Sequence, residues 1–436
     1  MKAKPITKQA SRILLIFLLG LFLSSCAIPM KESESSAEKT TPAAAEQETE
    51  APEVPAEPRL KYIVNSDSVQ ELIYDSLGQV CRRITRQIGT SGDTSWLETE
   101  TVFFDADGNV TDYRIEGVPE AQRDPDQQIR MEGKRLIRTS KDSTVTYEYE
   151  NGQLVLFLIN ASYYNVIAQY ERDGNGQCVR RTVQQYETDA ADPEKKTYFP
   201  AQVYQFRYAY DEAGLPLYSW QESEDGVQTS AFTVYYYENH PARQKEAAGR
   251  LKAVLSSDSV TLLTCDPDGT VRQSERLYLD DRCAGSSTEY GQVKETISFD
   301  RNGDLLLYRR EGDPNGEDGI CEISGNQLTR DVFRLTYRQG RVSVSKLSIS
   351  YGNDTVLNRD IVYSMDSFGL YEKRNLSWYL TKQGDPDGEK QSAPGFTDSE
   401  EKFVYLYETQ RFPLWSYRVN EKGEPVRDSF ELYIFE

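Results

Sequence analysis

The sequence predicts an all-β protein built from antiparallel hairpins, and three observations predict it. Short runs in which aromatic or β-branched residues alternate with polar ones recur along the chain, as at residues 144–149 and 206–210, and this alternation is typical of half-buried strands. Asp and Gly separate the runs, because Asp accepts hydrogen bonds from nearby amides and Gly adopts a positive φ. The composition agrees, since Tyr occurs 29 times against one His and four Met. Closely spaced hairpins of this kind build an antiparallel meander.

Residues 1–25 have the features of a signal peptide. Four basic groups and no acid precede an apolar run at residues 13–23. Because this run is too short to span a bilayer stably, an uncleaved anchor helix is disfavoured. The run ends in Leu23-Ser24-Ser25-Cys26, which resembles the bacterial lipobox. The resemblance implies cleavage before Cys26 and a lipid on its thiol, so that two acyl chains hold the mature protein in the bilayer. We therefore expect the protein on the extracytoplasmic side of a bacterial cell membrane.

Residues 26–58 are predicted to be a disordered tether. The segment has eight Glu and five Pro and almost no large apolar side chain. Such a composition cannot bury enough surface to offset the entropy of ordering, and like charges keep the chain extended. We expect this tether to hold the folded part away from the membrane.

The remainder of the chain reads as a duplication of one unit. Several segments of the first unit match segments of the second in the same order. The matching pairs are residues 65–72 with 256–263, 101–108 with 296–303, and 113–117 with 308–312. We therefore predict two tandem homologous β units, at residues 59–240 and 253–436.

A connector at residues 241–252 separates these two units. It is rich in Ala, Gln, Lys and Glu, and Pro241 suits the first turn of a helix. Gly249 is typical of a helix end. We expect a short helix here.

The recurring hairpins resemble the YD repeats of the rearrangement-hotspot and teneurin proteins. The resemblance rests on a Tyr or Phe followed by Asp and, three residues later, Gly, with Cys265 in the aromatic position once. These motifs occupy residues 74–78, 104–108, 210–214, 265–269 and 299–303, with weaker copies at 173–176 and 366–369. The family implies β-hairpin repeats displayed outside the cell. It implies no catalytic residue for this chain.

Charge and composition disfavour several classes of function. The net charge of −20 repels phosphate backbones, so we expect no nucleic-acid partner. His240 is the only histidine, which excludes Cys/His zinc sites and leaves little room for a His-dependent nucleophile. No phosphate-binding glycine motif is present. We expect no cofactor and no catalytic site, although carboxylate pairs suited to glycoside hydrolysis cannot be located among 70 acids.

The Asp-rich turns invite comparison with calcium sites. Asp105 to Asn109 begins like a calcium-binding loop, but Val110 stands where such a loop needs Gly. A structural role in turns, with Asp accepting hydrogen bonds from backbone amides, accounts for all of these motifs. Weak calcium binding at one or two of them is the alternative, and we expect no metal.

Five cysteines follow Cys26 in the sequence. None of them has a counterpart in the other unit, so a shared disulfide framework is not expected. Cys283 with Cys321 is the one pair worth testing. Cys265 replaces the aromatic residue of its repeat, which indicates a small buried side chain.

These observations favour a non-enzymatic binding or structural module of the cell envelope. Its ligand would be a glycan or an envelope protein, engaged on an aromatic sheet face. The candidate residues are Trp220, Trp415 and Tyr218, and core packing is the competing reading for them. The alternatives are an envelope carbohydrate-active enzyme and an envelope carrier or chaperone, for which a closed apolar cavity is needed.

Overall fold

A computed structural model confirms the all-β fold predicted from the alternating runs. It describes residues 57–435 apart from gaps at 66–67, 92, 162–163, 175, 189–194, 212, 227–231, 240–249, 257–258, 279–292, 312–320, 331, 352–353, 367–368, 386–388 and 408–411. In this described part, one 3-10 turn at Glu120–Gln122 is the only element that is not a strand. No helix long and apolar enough to cross a membrane occurs in the same residues.

The described residues of the first half form fifteen strands. They are β1 (Arg59–Val64), β2 (Ser68–Tyr74), β3 (Val80–Ser91), β4 (Thr94–Phe104), β5 (Val110–Glu116), β6 (Gln128–Glu132), β7 (Arg135–Thr139), β8 (Ser143–Glu150), β9 (Gln153–Ala161), β10 (Asn165–Arg172), β11 (Cys178–Thr188), β12 (Lys196–Tyr198), β13 (Gln202–Tyr210), β14 (Pro216–Ser223) and β15 (Thr233–Glu238).

The part of the second half that the structure describes forms fifteen more. They are β16 (Leu251–Ser256), β17 (Ser259–Cys265), β18 (Val271–Tyr278), β19 (Val293–Phe299), β20 (Leu305–Glu311), β21 (Cys321–Ser324), β22 (Gln327–Arg330), β23 (Phe333–Arg338), β24 (Arg341–Ser350), β25 (Thr355–Met365), β26 (Tyr371–Lys382), β27 (Gln391–Ser392), β28 (Ser399–Tyr407), β29 (Pro413–Val419) and β30 (Glu431–Phe435).

Each half folds into one antiparallel sheet. The strand order of the first sheet is β5-β4-β3-β2-β1-β15-β14-β13-β11-β10-β9-β8-β7-β6, with β12 paired to β11. The order of the second sheet is the same, with every strand number raised by fifteen. Neighbouring strands in each sheet are neighbours in sequence, except where β1 meets β15, β16 meets β30, β11 meets β13 and β26 meets β28. The two similar sheets confirm the duplication predicted from the matching segments.

The two edges of each sheet lie close together. In the first half the amide of Val110, at the start of β5, donates to the carbonyl of Gly133, in the turn between β6 and β7, at 2.8 Å. In the second half Leu305 donates to Gly325 at the same distance. Each sheet therefore curls around an interior into which alternate side chains point.

The hairpin turns are closed by one repeated arrangement. At residues 211–215 the Asp211 carboxylate accepts from the amides of Ala213 at 2.8 Å and Leu215 at 3.0 Å, while Gly214 adopts a φ of 76°. In other turns of this kind the Asp carboxylate likewise accepts a hydrogen bond from the backbone amide four residues further along. These aspartates are Asp75, Asp105, Asp173, Asp300 and Asp366. These turns confirm the local hairpin that the Asp and Gly spacing predicts. The side-chain oxygen of Asn420 accepts hydrogen bonds in the same way. The Asp and Gly spacing does not predict this turn, because Asn stands in place of Asp.

Clusters of buried apolar side chains stabilise the two sheets, inside each sheet and between them. The interior of the first sheet is a cluster that includes Leu60, Ile63 and Tyr235, and the interior of the second holds two smaller clusters. A further cluster joins the outer faces of the two sheets. Its members are Tyr62, Val64, Val69, Phe232, Val234, Ala253, Leu255, Val260, Leu414, Trp415, Phe430 and Leu432. We call this group the central cluster.

Several sequence predictions fall on residues that the structure does not describe. The signal peptide, Cys26 and almost the whole tether lie there, as does Cys283 and the side chain of Cys321. Most of the connector predicted at 241–252 is also outside the described residues, and β16 begins at Leu251, inside that range. Cys81, Cys178 and Cys265 form no disulfide, and Cys265 is only half-buried, not fully buried as its position in the repeat suggested.

Candidate functional site

The interior of the second sheet encloses a polar cavity of about 500 Å³. Its charged lining comes from inward-pointing residues of strands that are distant in sequence. The arginines are Arg276, Arg310, Arg341, Arg374 and Arg418. We call this space the arginine cavity. Phe333 and Asp428, both exposed, also line it, so the cavity reaches solvent.

One carboxylate binds two of these arginines. Glu401 accepts from Arg374 Nη1 at 2.9 Å and from Arg418 Nη1 at 2.5 Å, and it is only 9% exposed. Burial opposes the charged form of Arg374, but Tyr363 and Glu401 outweigh burial and raise its pKa. One carboxylate thus bridges two guanidinium groups.

Arg341 occupies a fixed position on an aromatic stack. Its guanidinium lies 3.8 Å from the ring centroid of Tyr371, which itself stacks on Tyr363 at 4.4 Å. Arg341 Nη1 donates to the carbonyl of Gly369 at 2.8 Å, and Glu431 lies 3.9 Å from Nη2. Burial opposes the charged form of Arg341, yet Tyr371 and Glu431 raise its pKa. The stack forms one rigid wall of the cavity.

A second pair of arginines flanks Glu295. The register places Arg276 of β18, Glu295 of β19 and Arg310 of β20 directly opposite one another across three adjacent strands. Tyr308 donates its hydroxyl to Glu295 at 2.8 Å, and Arg310 Nε lies 4.0 Å from the same carboxylate. Arg276 donates to Ser259 Oγ at 3.0 Å. We call Arg276, Glu295 and Arg310 the charged row.

The equivalent positions of the first sheet carry different side chains. In the charged row, register places Thr85 and Ile115 where the second sheet has Arg276 and Arg310. Phe157 of β9 is the equivalent of Ser345 of β24. Tyr147 pairs with Phe157 in the first sheet, and its equivalent Leu335 pairs with Ser345 in the second.

Two more differences follow from the same register. Tyr204 stands where the second sheet has Glu401, opposite an arginine in both halves. Gln221 stands where it has Arg418. At these positions the first sheet carries uncharged side chains, and Phe157 is bulkier than Ser345.

A smaller cavity of about 280 Å³ remains in the first sheet. Glu100 accepts from Tyr113 Oη at 2.7 Å and from Arg138 Nη1 at 2.6 Å, and Glu98 accepts from Gln87 Nε2 at 2.9 Å. Burial raises the pKa of the Glu98 carboxyl, and the neighbouring Glu100 raises it further. This cavity therefore holds two carboxylates in different environments, a pair that sequence reasoning could not locate.

The three aromatic candidates from the sequence lie at the contact between the sheets, not at either cavity. Trp415 is 2% exposed and packs on Phe430 at 5.7 Å. Tyr218 and Trp220 are half-buried and pack on Phe232 at 4.8 and 6.1 Å. This placement supports the packing reading for all three residues. It corrects the expectation that Trp415 offers a ligand an exposed ring.

The lining of the arginine cavity was missed because its residues are dispersed between positions 254 and 431. A position-by-position alignment of the two halves is the signal that could have found them, since Arg replaces an uncharged residue at several inward positions. The Asp-rich turns bind backbone amides, and no cluster of metal-ligating side chains occurs in the described residues.

Comparison with known proteins gives no family. No family model matches the chain, and no curated protein matches it. A porin-like protein from Bacteroides uniformis ATCC 8492 aligns over 82% of this chain and 96% of its own, at 11% identity and a TM-score of 0.21. A eukaryotic initiation factor aligns over 87% and 91%, at 10% identity and a TM-score of 0.15. At such TM-scores neither similarity bears on the function of this chain.

Proposed function

We propose that the protein is a lipid-anchored binding module of the bacterial cell envelope. Cys26 holds it on the extracytoplasmic side of the membrane, and the arginine cavity binds a saccharide without changing it chemically. One observation carries the proposal: the same fold has a cavity of about 280 Å³ in the first half and a larger one of about 500 Å³, lined by five arginines, in the second. Burying several arginines in one interior is costly even when they are paired, and a ligand that they bind is the reason we propose for keeping them.

The chemistry of the lining favours a saccharide over the other envelope ligands. Guanidinium groups, carboxylates and Tyr hydroxyls supply donors and acceptors that match sugar hydroxyls, and Phe333 and Phe403 add apolar surface. The volume lies within the range of about 300–1,000 Å³ typical of small-ligand sites. An enclosed site of this size does not accommodate the edge of a protein sheet. Its charges also argue against a carrier of apolar cargo.

The absence of turnover in this proposal rests on the contacts of Glu401. A glycosidase needs one protonated carboxylic acid beside an ionised carboxylate. Arg374 donates to both carboxylate oxygens of Glu401 and Arg418 donates to one of them, so guanidinium groups occupy the atoms that an acid catalyst would present to a leaving group. Glu295 likewise accepts from Tyr308 and is flanked by two arginines.

A carbohydrate-active enzyme is the second candidate, and its support lies in the first sheet. Glu98 and Glu100 lie two residues apart on β4 and face one cavity, and the pKa of Glu98 is raised while Arg138 binds Glu100. Environments that separate two carboxyl pKa values are typical of acid–base pairs. Polysaccharide cleavage by the wild type, abolished in Glu98→Gln and not in Glu401→Gln, would favour this candidate.

Filling the arginine cavity tests the proposed function. The Ser345→Phe variant introduces the side chain that the first half has at this position, Phe157, so the sheet is expected to accept it. We expect the wild type, made without its anchor, to bind saccharides on a glycan array, and Ser345→Phe to lose that binding. The matched control is Ser350→Phe, because Ser350 is exposed and points to the opposite face of β24.

The result is interpretable only for folded protein, so circular dichroism accompanies each variant. Retained binding in a folded Ser345→Phe would remove the cavity as the site. A wild type that binds no saccharide on the array would overturn the proposed ligand class.

Replacing Cys26 tests the anchor independently of the cavity. In cells, the wild type is expected in the membrane fraction and Cys26→Ala outside it, since the acyl chains supply the attachment. Membrane retention of Cys26→Ala would show that another segment anchors the chain.

A further inference from the structure

The charged row contains more cation than anion, although the chain as a whole is strongly acidic. Arg276 and Arg310 both flank Glu295, and adjacent strands lie only about 4.8 Å apart. One carboxylate thus faces two guanidinium groups. The same ratio holds where Glu401 binds Arg374 and Arg418. The protein carries a net charge of −20, so these cations are concentrated where the surrounding charge is of opposite sign.

The duplication shows that the cations are an addition to the fold. The first sheet keeps the central carboxylate of the row, Glu100, between Thr85 and Ile115. That half is folded with two uncharged neighbours at these positions, so the fold itself does not require a guanidinium at either one. In the first sheet one guanidinium, that of Arg138 on β7, donates to Glu100 at 2.6 Å, whereas in the second sheet two arginines on adjacent strands flank Glu295. The second sheet therefore has one cation more at this carboxylate than the first sheet uses.

We propose that the ligand of the arginine cavity is an acidic saccharide whose carboxylate or sulfate is bound by Arg276 and Arg310. This inference rests on the proposed function and adds the charge of the ligand to it. Planar guanidinium groups bind such anions with paired hydrogen bonds.

The acidic surface and the two arginines of the charged row act together on such a ligand. Anions are repelled from most of the exterior, whereas inside the cavity the interaction with arginine is strengthened by lower solvent exposure. Arg310 has a side chain only 12% exposed, against 69% for its strand neighbour Arg309. This contrast provides a matched pair for experiment.

Calorimetry with matched disaccharides tests the inference. The probes are digalacturonate, its neutral counterpart galactobiose, and a monosulfated galactobiose. We expect the wild type to bind an acidic probe at least about tenfold more tightly than the neutral one, because charge-assisted hydrogen bonds are the stronger kind. Raising the salt concentration from about 50 to about 500 mM should reduce this preference, since salt screens charge.

Two variants assign the preference to residues. The double variant Arg276→Thr, Arg310→Ile carries the side chains of the first half, and Arg276→Gln is a milder change if the double variant fails to fold. Both are expected to lose the acidic preference while keeping neutral binding, and Arg309→Gln is expected to keep the preference. An unchanged preference in folded Arg276→Gln would overturn the role of the row.

The outcomes separate the two proposals. Equal binding of acidic and neutral probes by the wild type would refute the acidic ligand and leave saccharide binding intact. Failure of all three probes and of the glycan array would refute both.

Discussion

Single aspartates determine where this chain turns. The Asp300 carboxylate accepts from the amides of Asn302 at 2.7 Å and Asp304 at 3.0 Å. The bond from the Asp304 amide lowers the pKa of Asp300 most, and Asn302 lowers it further. Asp105 has a lowered pKa for the same reason, with Asn109 as the principal donor. These bonds form best with the ionised carboxylate.

The pH dependence of stability should therefore report on these turns. A carboxyl whose pKa is depressed on folding stabilises the protein above its unfolded value of about 3.9, and this contribution is lost as the pH falls through the folded pKa. We expect thermal unfolding of Asp300→Ala to occur at lower temperature at pH 7, with a weaker loss on acidification below pH 4 than in the wild type.

Asparagine at the same position separates the hydrogen bonds from the charge. Asn420 already closes a turn with its amide oxygen, so Asp300→Asn should be more stable than Asp300→Ala at pH 7. It should also lose part of the acid dependence. Equal unfolding temperatures for the two variants would show that the side-chain acceptor contributes nothing.

Two equivalent glycines permit a close approach inside the sheets. Gly152 and Gly340 both have a φ of 71°, and a Cβ at either would lie 2.5 Å from a valine methyl, of Val80 or of Val271. We expect Gly340→Ala to destabilise the protein by about 1–3 kcal/mol in urea unfolding, from backbone strain and overpacking together.

A second substitution and a control identify the cause. Val271→Ala should recover part of the loss in Gly340→Ala, since it removes the clashing methyl groups. Gly214 also has a positive φ of 76°, but a Cβ added there would meet no atom within 4 Å. Gly214→Ala should therefore lower the free energy of unfolding by only about 1 kcal/mol. Purely additive effects of Gly340→Ala and Val271→Ala would contradict the contact.

At the scale of strands, the meeting of the sheet edges is the feature with the most consequences. Unpaired edges expose amides to solvent and to other chains. Val110 and Leu305 avoid this by donating to Gly133 and Gly325 across the junction. These two bonds lie at equivalent positions of the two halves, which indicates that the junction belongs to the fold and not to one sequence.

Hydrogen exchange measures whether the junction holds in solution. We expect the amide hydrogens of Val110 and Leu305 to exchange more slowly than the same amides in an unfolded chain. The free energy of local opening at the junction sets how much more slowly they exchange. Exchange of both at the unfolded rate would mean that the edges separate and the interiors are open.

The turns and the duplication could be predicted from sequence because their determinants are local. Asp and Gly at fixed spacing specify each hairpin, as at residues 211–215. The pairing of β1 with β15 could not be predicted, since it joins segments at opposite ends of a half. The charged row was hidden for a related reason. Arg276 and Arg310 come together only through the register of three strands, and bulges such as that between Ser298 and Phe299 shift that register.

At the scale of the whole molecule, the two sheets are joined by their outer faces. Phe232 of the first half and Phe430 of the second occupy equivalent positions in the central cluster, and they are 1% and 0% exposed. Ser95 also donates to the carbonyl of Pro425 across the contact. Residues that are core for both halves at once couple the stability of the arginine cavity to that of the first sheet.

This coupling predicts that damage on either side of the contact affects both halves. Phe430→Ala and Phe232→Ala should each lower the free energy of unfolding by about 3–5 kcal/mol, the usual cost of removing a buried Phe side chain. Exchange protection should then fall by similar factors in strands of both sheets. Phe199→Ala, at a site 43% exposed, should change stability by about 0.5 kcal/mol or less. Loss of protection confined to the second sheet in Phe430→Ala would show that the halves unfold independently, because a shared core cannot be weakened on one side alone.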